Sequence, residues 1–486
     1  MSPPGLSPID RAFFLLETDE RPMNVGVLTI VAPRPARRGR PSDALVRRML
    51  RCPVGPPFDY RLTSGWWPCL ERLDHVDPAE HLHRHELPDR SDLQALFARI
   101  CDIHSRRLDR ARPLWEMHVF DGLPHGRVAL YFKTHHGLLD GLGFLQVIRR
   151  TVDSRPGGRT PQALWRGLPV TSSGRSTTPA ASPRDLLGSS LLAALRATAT
   201  VRDMTRLAWH VARRDFGLGS GLAVPFRSTP DVLRAAPSPR RVLGHCVLPL
   251  ARIRAVAAAG DAKVNDVVLA TLDLALSQYL RERGTRPNRP LVADMPVALH
   301  DRAGAGNRIT ILQVPLGRPD GTPAQRLADV VRETRIVKDE IRTLSPDALF
   351  YYSILEHSLA SMIETLDLGE VPMLANAVIS NPAGLEGPVY FNGLPVELAL
   401  PVSVVAHHQV LNVTVSNFGD DLNVTFIALR EAVPDLQLLA DGTVRALREL
   451  EQAVQPRPAA SRRRRRTPRT VTPSTRAARP EQRTLH

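Results

Sequence analysis

The sequence predicts a mixed α/β (α+β) fold in two domains, and three observations predict it. The chain has 486 residues, 43% hydrophobic and 23% charged, an ordinary globular balance and enough length for two cores. Short strand-like runs alternate with helical patterns in both halves. Between the halves, from about Ser154 to Ser182, the composition turns to Pro, Gly, Ser and Thr, as in Thr171-Ser172-Ser173-Gly174, which is too poor in apolar side chains to order itself well. The expected division is residues 1–153 as a first domain, 154–185 as a linker, 186–455 as a second domain and 456–486 as a disordered arginine-rich tail.

In the first half, Val25–Ile30, His118–Phe120 and Val128–Phe132 read as strands. Between them Ser91 is the expected N-cap of a helix whose apolar residues, Leu93, Leu96, Phe97, Ile100, Ile103 and Leu108, recur at helical spacing before the turn at Arg112-Pro113. A further helix is expected from Phe144 to about Val152. After the linker a helical pattern runs from Leu186 to about Arg214, with one basic and one apolar face that could touch a lipid surface or pack on its own domain, the second reading being favoured.

The second half continues with strand Val242–Val247, a short helix from Leu250, a strong helix over Val264–Leu280 and strand Leu291–Ala298. Two helical patterns follow, Thr322–Leu344 and Ser345–Leu366. Strands are expected at Ala377–Ser380, Val396–Val405, Val410–Ser416 and Leu422–Ala428, and a last helix near Leu436–Val454. No short repeat appears, so a solenoid is excluded.

The formal charge of +15 suggests nucleic acid, but much of the excess sits in the tail, where Arg462 to Arg466 run unbroken. Lys133, Lys263 and Lys338 are the only lysines, so arginine supplies almost all the positive charge, as codon composition alone can do. No specific nucleic-acid partner is expected. The tail could be drawn to anionic lipid, an attraction that salt would screen; solvated disorder is the favoured reading. Cys52, Cys69, Cys101 and Cys246 show no Cys-x-x-Cys spacing, so reduced thiols in a cytoplasmic protein are expected rather than a zinc site or disulfides. The N-terminus lacks a basic-then-apolar pattern, and no apolar run approaches the roughly 18 residues of a spanning helix. If the protein meets a membrane, it is expected to lie on it.

The chemistry is expected at His135-His136-Gly137-Leu138-Leu139-Asp140-Gly141. The stretch follows an apolar strand directly, and its glycines imply a tight loop with little side-chain bulk, able to present polar groups to a cavity. Adjacent residues leaving a strand point in opposite directions, so one histidine is expected to face the cavity and the other the interior. An imidazole with a pKa near 6.5 suits proton removal from an alcohol. An alcohol attacking a thioester needs such a base, and no acyl-enzyme is required. Consistently, the chain has no Gly-x-Ser-x-Gly elbow. His81, His83 and His85 alternate, which would put three imidazoles on one strand face, but no Cys or carboxylate completes a metal site; a solvated strand face is expected there, and likewise at His407-His408. Gly217 to Gly221 is glycine-rich, yet Pro225 follows where a phosphate-cradling helix would begin.

Several separated stretches are similar to the bacterial wax ester synthase/diacylglycerol acyltransferases, within the CoA-dependent acyltransferases that carry His-His-x-x-x-Asp-Gly. They are Leu6-Ser7-Pro8-Ile9-Asp10 with Phe13 and Glu17-Thr18, Pro22-Met23-Asn24-Val25-Gly26, Pro113-Leu114-Trp115-Glu116, Asn265-Asp266, and Met295-Pro296-Val297 with Gly306-Asn307-Arg308. The resemblance reaches to about residue 455. It implies a chloramphenicol-acetyltransferase-like fold with a channel between two domains. It also implies His136 as general base, a supporting His135, a structural Asp140, and Gly141, Asn265 and Asp266 near the substrates. Trp115 reads as core packing.

Two departures bear on substrate preference: Ser380-Asn381-Pro382-Ala383-Gly384-Leu385 replaces the family's common Ser-Asn-Val-Pro-Gly-Pro, and His300 stands where arginine is common. The activity implied is transfer of a long-chain acyl group from acyl-CoA, a substrate and not a resident cofactor, to diacylglycerol or a fatty alcohol. The place of work implied is the cytoplasm, or the periphery of the inner membrane or of lipid inclusions. The alternatives are a condensation-type enzyme using carrier-bound thioesters and a non-catalytic lipid-surface protein.

Overall fold

Two mixed sheets carry the molecule, and the His-His turn follows a central strand of the first. The computed structural model describes residues 6–32, 39–63, 65, 67–88, 91–157, 160–169, 200, 202–214, 216, 223, 225–226, 233–299, 308–366, 374–382 and 384–454. The strands in chain order are β1 (Asn24–Val31), β2 (Tyr60–Leu62), β3 (Leu70–Arg72), β4 (Leu82–Glu86), β5 (Trp115–Asp121), β6 (Val128–His135), β7 (Val152–Asp153), β8 (Arg241–Pro249), β9 (Val292–Leu299), β10 (Arg308–Pro315), β11 (Ala377–Ser380), β12 (Tyr390–Phe391), β13 (Leu394–Val402), β14 (Leu411–Phe418) and β15 (Asp421–Leu429). The helices are α1 (Pro8–Leu16), α2 (Asp43–Met49), α3 (Leu93–His104), α4 (Gly141–Thr151), α5 (residues 202–214), α6 (Leu250–Ala259), α7 (Val264–Glu282), α8 (Pro323–Thr343), α9 (Pro346–Thr365) and α10 (Leu436–Val454).

The first sheet has the order β4-β5-β6-β1-β13-β12-β7 and the second β10-β9-β11-β14-β15-β8. β12 and β13 come from the second half of the chain yet complete the first sheet, β13 pairing antiparallel with β1. One face of the first sheet packs Val27, Val31, Met117, Val119, Leu130 and Phe132 against α2 and α4. Its other face, through Leu28, Ile30, Phe120 and Tyr131, joins one large core with α3, α7, α10 and the second sheet. Met1–Val454 form one compact unit.

Several expectations change at element ends. Asp92, not Ser91, caps α3, its carboxylate accepting from the Ala95 N–H at 2.8 Å, while the Ser91 hydroxyl donates to the Pro88 carbonyl. That helix ends at His104; Leu108 belongs to a small cluster with Phe14 and Leu114. α4 starts three residues before Phe144, because Asp140 caps it. The beginning of the stretch read as a linker is packed: Ala163, Leu164 and Trp165 are buried, and Trp165 stacks on Trp115 at 5.5 Å. Two tryptophans and a leucine outweigh the local composition there. Residues 170–199, with most of the helical pattern from Leu186, the glycine-rich Gly217–Gly221 and the tail lie outside the described residues.

Candidate active site

β6 delivers the two histidines, and α1 clamps them. In register His135 stands opposite Asn24 of β1; its side chain is 1% exposed and shares the face of β6 that carries Tyr131 and Lys133. The chain then turns, and the His136 N–H donates to the Met23 carbonyl at 2.8 Å. α1 begins with a capping box, Ser7 and Asp10 exchanging side-chain to backbone hydrogen bonds. Its far end lies on the turn: Phe13 stacks on His136 with centroids 4.1 Å apart, and Phe14 on His135 at 4.3 Å. Gly137 is required here, since a Cβ would lie 2.7 Å from the Phe14 ring and 2.8 Å from the Asp10 carbonyl.

The partners of His135 fix its tautomer. The Gly137 N–H donates to Nδ1 at 3.0 Å, so Nδ1 is unprotonated and Nε2 carries the hydrogen, toward Glu17 Oε1 at 3.5 Å. Burial would raise the Glu17 carboxyl, but His135, the Met23 N–H and Arg110 bring it down to about 2. Arg107 also donates to it, at 3.2 Å. Burial lowers the pKa of His135 despite that carboxylate. His136 is half-buried, and burial together with neighbouring His135 pushes it down to about 4, so it is a neutral base at pH 7. Its Nδ1 is buried without a hydrogen-bond partner.

Asp140 accepts from the Gly143 N–H at 2.7 Å and starts α4; burial raises its pKa. Gly141, the first residue of that helix, borders open space, as nothing lies within 4 Å of an added Cβ. Asn265 and Asp266 begin α7. Asp266 is almost fully buried and accepts from the Lys263 N–H at 2.9 Å and the Thr334 hydroxyl at 2.8 Å, with Lys338 at 3.6 Å. Asn265 accepts from Asn381 at 3.2 Å, which joins it to the departing loop after β11. His135, His136, Asp140 and Gly141 thus share one turn, whereas Asn265 and Asp266 bond elsewhere; among the described residues no hydrogen bond or ion pair links either to the histidines. His300 and Asn307 lie outside the described residues.

Glu17 was not singled out by sequence reasoning for a role. One signal existed: a carboxylate at the C-cap of an apolar helix opposes the helix dipole and so must be paired elsewhere. The histidine triplet meets the expected solvated strand face only in part, at His83, which is exposed on β4. His81 sits in a turn, its Nδ1 2.9 Å from the Trp115 carbonyl, while His83 and His85 stack on His118 of β5. His407-His408 lies in a turn with His407 buried, not on a solvated strand. No group of three metal-ligating side chains occurs among the described residues. Trp115 is fully buried and donates to the Phe58 carbonyl, a packing role.

Residues 6–268 match the model of the wax ester synthase/diacylglycerol acyltransferase catalytic domain, and residues 305–451 that of the WS/DGAT C-terminal domain. The chain belongs to the wax ester synthase/diacylglycerol acyltransferase family. A Mycobacterium tuberculosis H37Rv protein, provisionally named a diacylglycerol O-acyltransferase, is 31% identical over 462 residues, 93% of this chain and 99% of its own. Another, from strain CDC 1551 and named likewise, is 32% identical over 450 residues, covering 89% and 88%. The solved wax ester synthase/diacylglycerol acyltransferase from Marinobacter aquaeolei VT8 superposes with a TM-score of 0.69 at 26% identity, over 93% of this chain and 100% of that one. The first condensation domain of the CDA synthetase shares the fold, with a TM-score of 0.54 at 18% identity over 93% and 97%. As a WS/DGAT-family member the chain is an acyltransferase of the two-domain fold common to these structures.

Proposed function

We propose that this WS/DGAT enzyme moves a long-chain acyl group from acyl-CoA to the hydroxyl of diacylglycerol, giving triacylglycerol, or of a fatty alcohol, giving a wax ester, with His136 as general base. The observation that carries the reading is the His136 ring: half-buried, neutral at pH 7, stacked on Phe13, carried on a backbone whose N–H donates to the Met23 carbonyl, and with Nδ1 free of any hydrogen-bond partner. The imidazole takes the hydroxyl proton as the oxygen attacks the thioester carbonyl. The tetrahedral intermediate then expels the CoA thiolate, which takes the proton back from the imidazolium. Such base help supplies roughly a hundred to ten thousandfold, and positioning and oxyanion stabilisation the remainder.

His135, with its proton directed at Glu17, holds the turn from behind and keeps a second positive charge away from His136. Asp140 sets the start of α4 and with it the wall bearing Gly141. The two-domain division of the chain, with Asn265 and Asp266 across a channel, belongs to the same reading; Asn265 and Asn381 support it by joining α7 to the loop after β11. Because the acceptor is a lipid, the enzyme works at the cytoplasmic face of a membrane or on lipid inclusions, and no described helix is long and apolar enough to cross a bilayer. The test is product analysis with palmitoyl-CoA and either diacylglycerol or hexadecanol. Triacylglycerol or wax ester that depends on the acceptor supports the proposal; hydrolysis to free palmitate with neither ester formed sinks it.

A further inference from the structure

α9 is apolar on both faces. Its buried face carries Leu349, Tyr352, Ala360 and Ile363, with the polar Ser353, Glu356 and Ser361 among them. Its outer face carries Tyr351, Leu355, Leu359, Met362 and Leu366, spaced by four, four, three and four residues into one stripe along the helix. The remaining exposed positions from Tyr351 to Leu366 are Ser358 and Thr365, so that stretch of outer face bears no charge. A surface helix facing water has the opposite pattern.

α5 extends the surface. It shares one apolar cluster with α8 and α9 through Leu207, Val337, Leu349 and Tyr352, and its buried Asp203 accepts from the Ser345 N–H that starts α9. Outward it presents Arg202, Arg206, Trp209, Arg213 and then Phe216, at helical spacing on one face, with Trp209 61% and Phe216 75% exposed. Arg202 and Arg206 share the single carboxylate of Asp203, which leaves a positive surplus. Together these two helices and the residues just after them hold seven of the twelve exposed large apolar side chains among the described residues, so the apolar exposure is concentrated and not scattered.

We propose that the joint outer face of α5 and α9 docks on an anionic lipid surface, with the α9 stripe inserted among acyl chains and the arginine–aromatic face of α5 at the headgroups. The charge on α5 decides the occupant: arginines alternating with Trp and Phe suit a negatively charged headgroup layer, whereas a second copy of this basic chain would meet them with like charge. The surface also leads to the catalytic turn. Glu364, in the last turn of α9, accepts from Arg21 at 2.8 and 2.9 Å, and Arg21 precedes by two residues the Met23 carbonyl that holds His136. Leu355 lies nine residues before Glu364, about 13 Å along the helix axis. The proposal rests on the lipid-acceptor reading and names the face through which the enzyme meets its acceptor.

The test is co-sedimentation of the full chain with mixed phosphatidylglycerol–phosphatidylcholine vesicles and with phosphatidylcholine vesicles. The native chain is expected to bind the anionic vesicles preferentially. The exposed double variant Leu355→Asp/Leu359→Asp should lower that partition by about tenfold or more, and Arg202→Gln/Arg206→Gln should weaken the preference for anionic lipid, leaving only the part that the tail arginines supply. Circular dichroism checks that both variants stay folded. Equal sedimentation of native and double-aspartate chains overturns the proposal, as does a native chain that ignores vesicles but forms a dimer the aspartates dissolve. Thiol release with a water-soluble alcohol is read in parallel. Docking without turnover in any assay rejects the catalytic reading alone, and turnover without docking rejects only this one.

Discussion

The surroundings of His136, the proposed base, deny it a proton. Burial and the adjacent His135 press its pKa to about 4, so the ring is in its basic form throughout the neutral range. The expected kcat/KM profile is therefore free of a bend near pH 6.5, the ordinary imidazole value, and falls on the acid side only as pH approaches the lowered pKa. A stopped-assay profile that bends near 6.5 would show an imidazole open to water. The tight glycine-containing turn after an apolar strand was legible from the His-His-x-x-x-Asp-Gly stretch, and the structure leaves His135 buried and His136 half-buried. Glu17 was not legible as the partner of His135, because no local spacing relates residues 118 positions apart, and only the packing of α1 on the turn brings them together.

Elements were legible where apolar period and flanking residues agreed, as in α7, α8, α9 and the hairpin β14–β15. Boundaries were missed where a side chain settles the end: Asp92 displaces Ser91 as a cap, and Asp140 starts α4 early. The buried Trp165 was missed because a tertiary contact with Trp115 overrides the composition around it. Asp140 gives a prediction at this scale. Asp140→Ala removes the acceptor for the Gly143 N–H and should cost about 1 kcal/mol, read as a lower denaturant midpoint with unchanged slope, together with a loss of turnover as α4 frays beside His136. Asp140→Asn keeps a capping oxygen and should recover most of the stability.

At the scale of the whole molecule, acid is the expected weakness. His104 is fully buried, and burial with Lys133 and Arg241 nearby lowers it to about 3; with His136 it stays neutral in the folded chain while the unfolded chain takes up protons near pH 6.5. The stability these groups allow is complete above about pH 6.5 and declines as pH falls toward their lowered values. Glu17 and Glu116, both near 2 when folded, add a second loss below the ordinary carboxylate range, near pH 4.5 and downward. Thermal midpoints measured between pH 8 and 4 should fall from about 6.5 onward, and a flat curve to pH 4 would contradict neutral buried histidines. The α/β class was legible from alternating patterns, but the return of β13 to pair with β1 was not, since strand partners distant in sequence leave no local trace. The measurement that reaches the central claim most directly is release of CoA thiol from palmitoyl-CoA by the native chain and by His136→Ala, each with diacylglycerol, hexadecanol or no acceptor. Acceptor-dependent release that drops by about a hundredfold or more in a folded His136→Ala chain is the predicted result; equal release by the two chains would contradict His136 as the base.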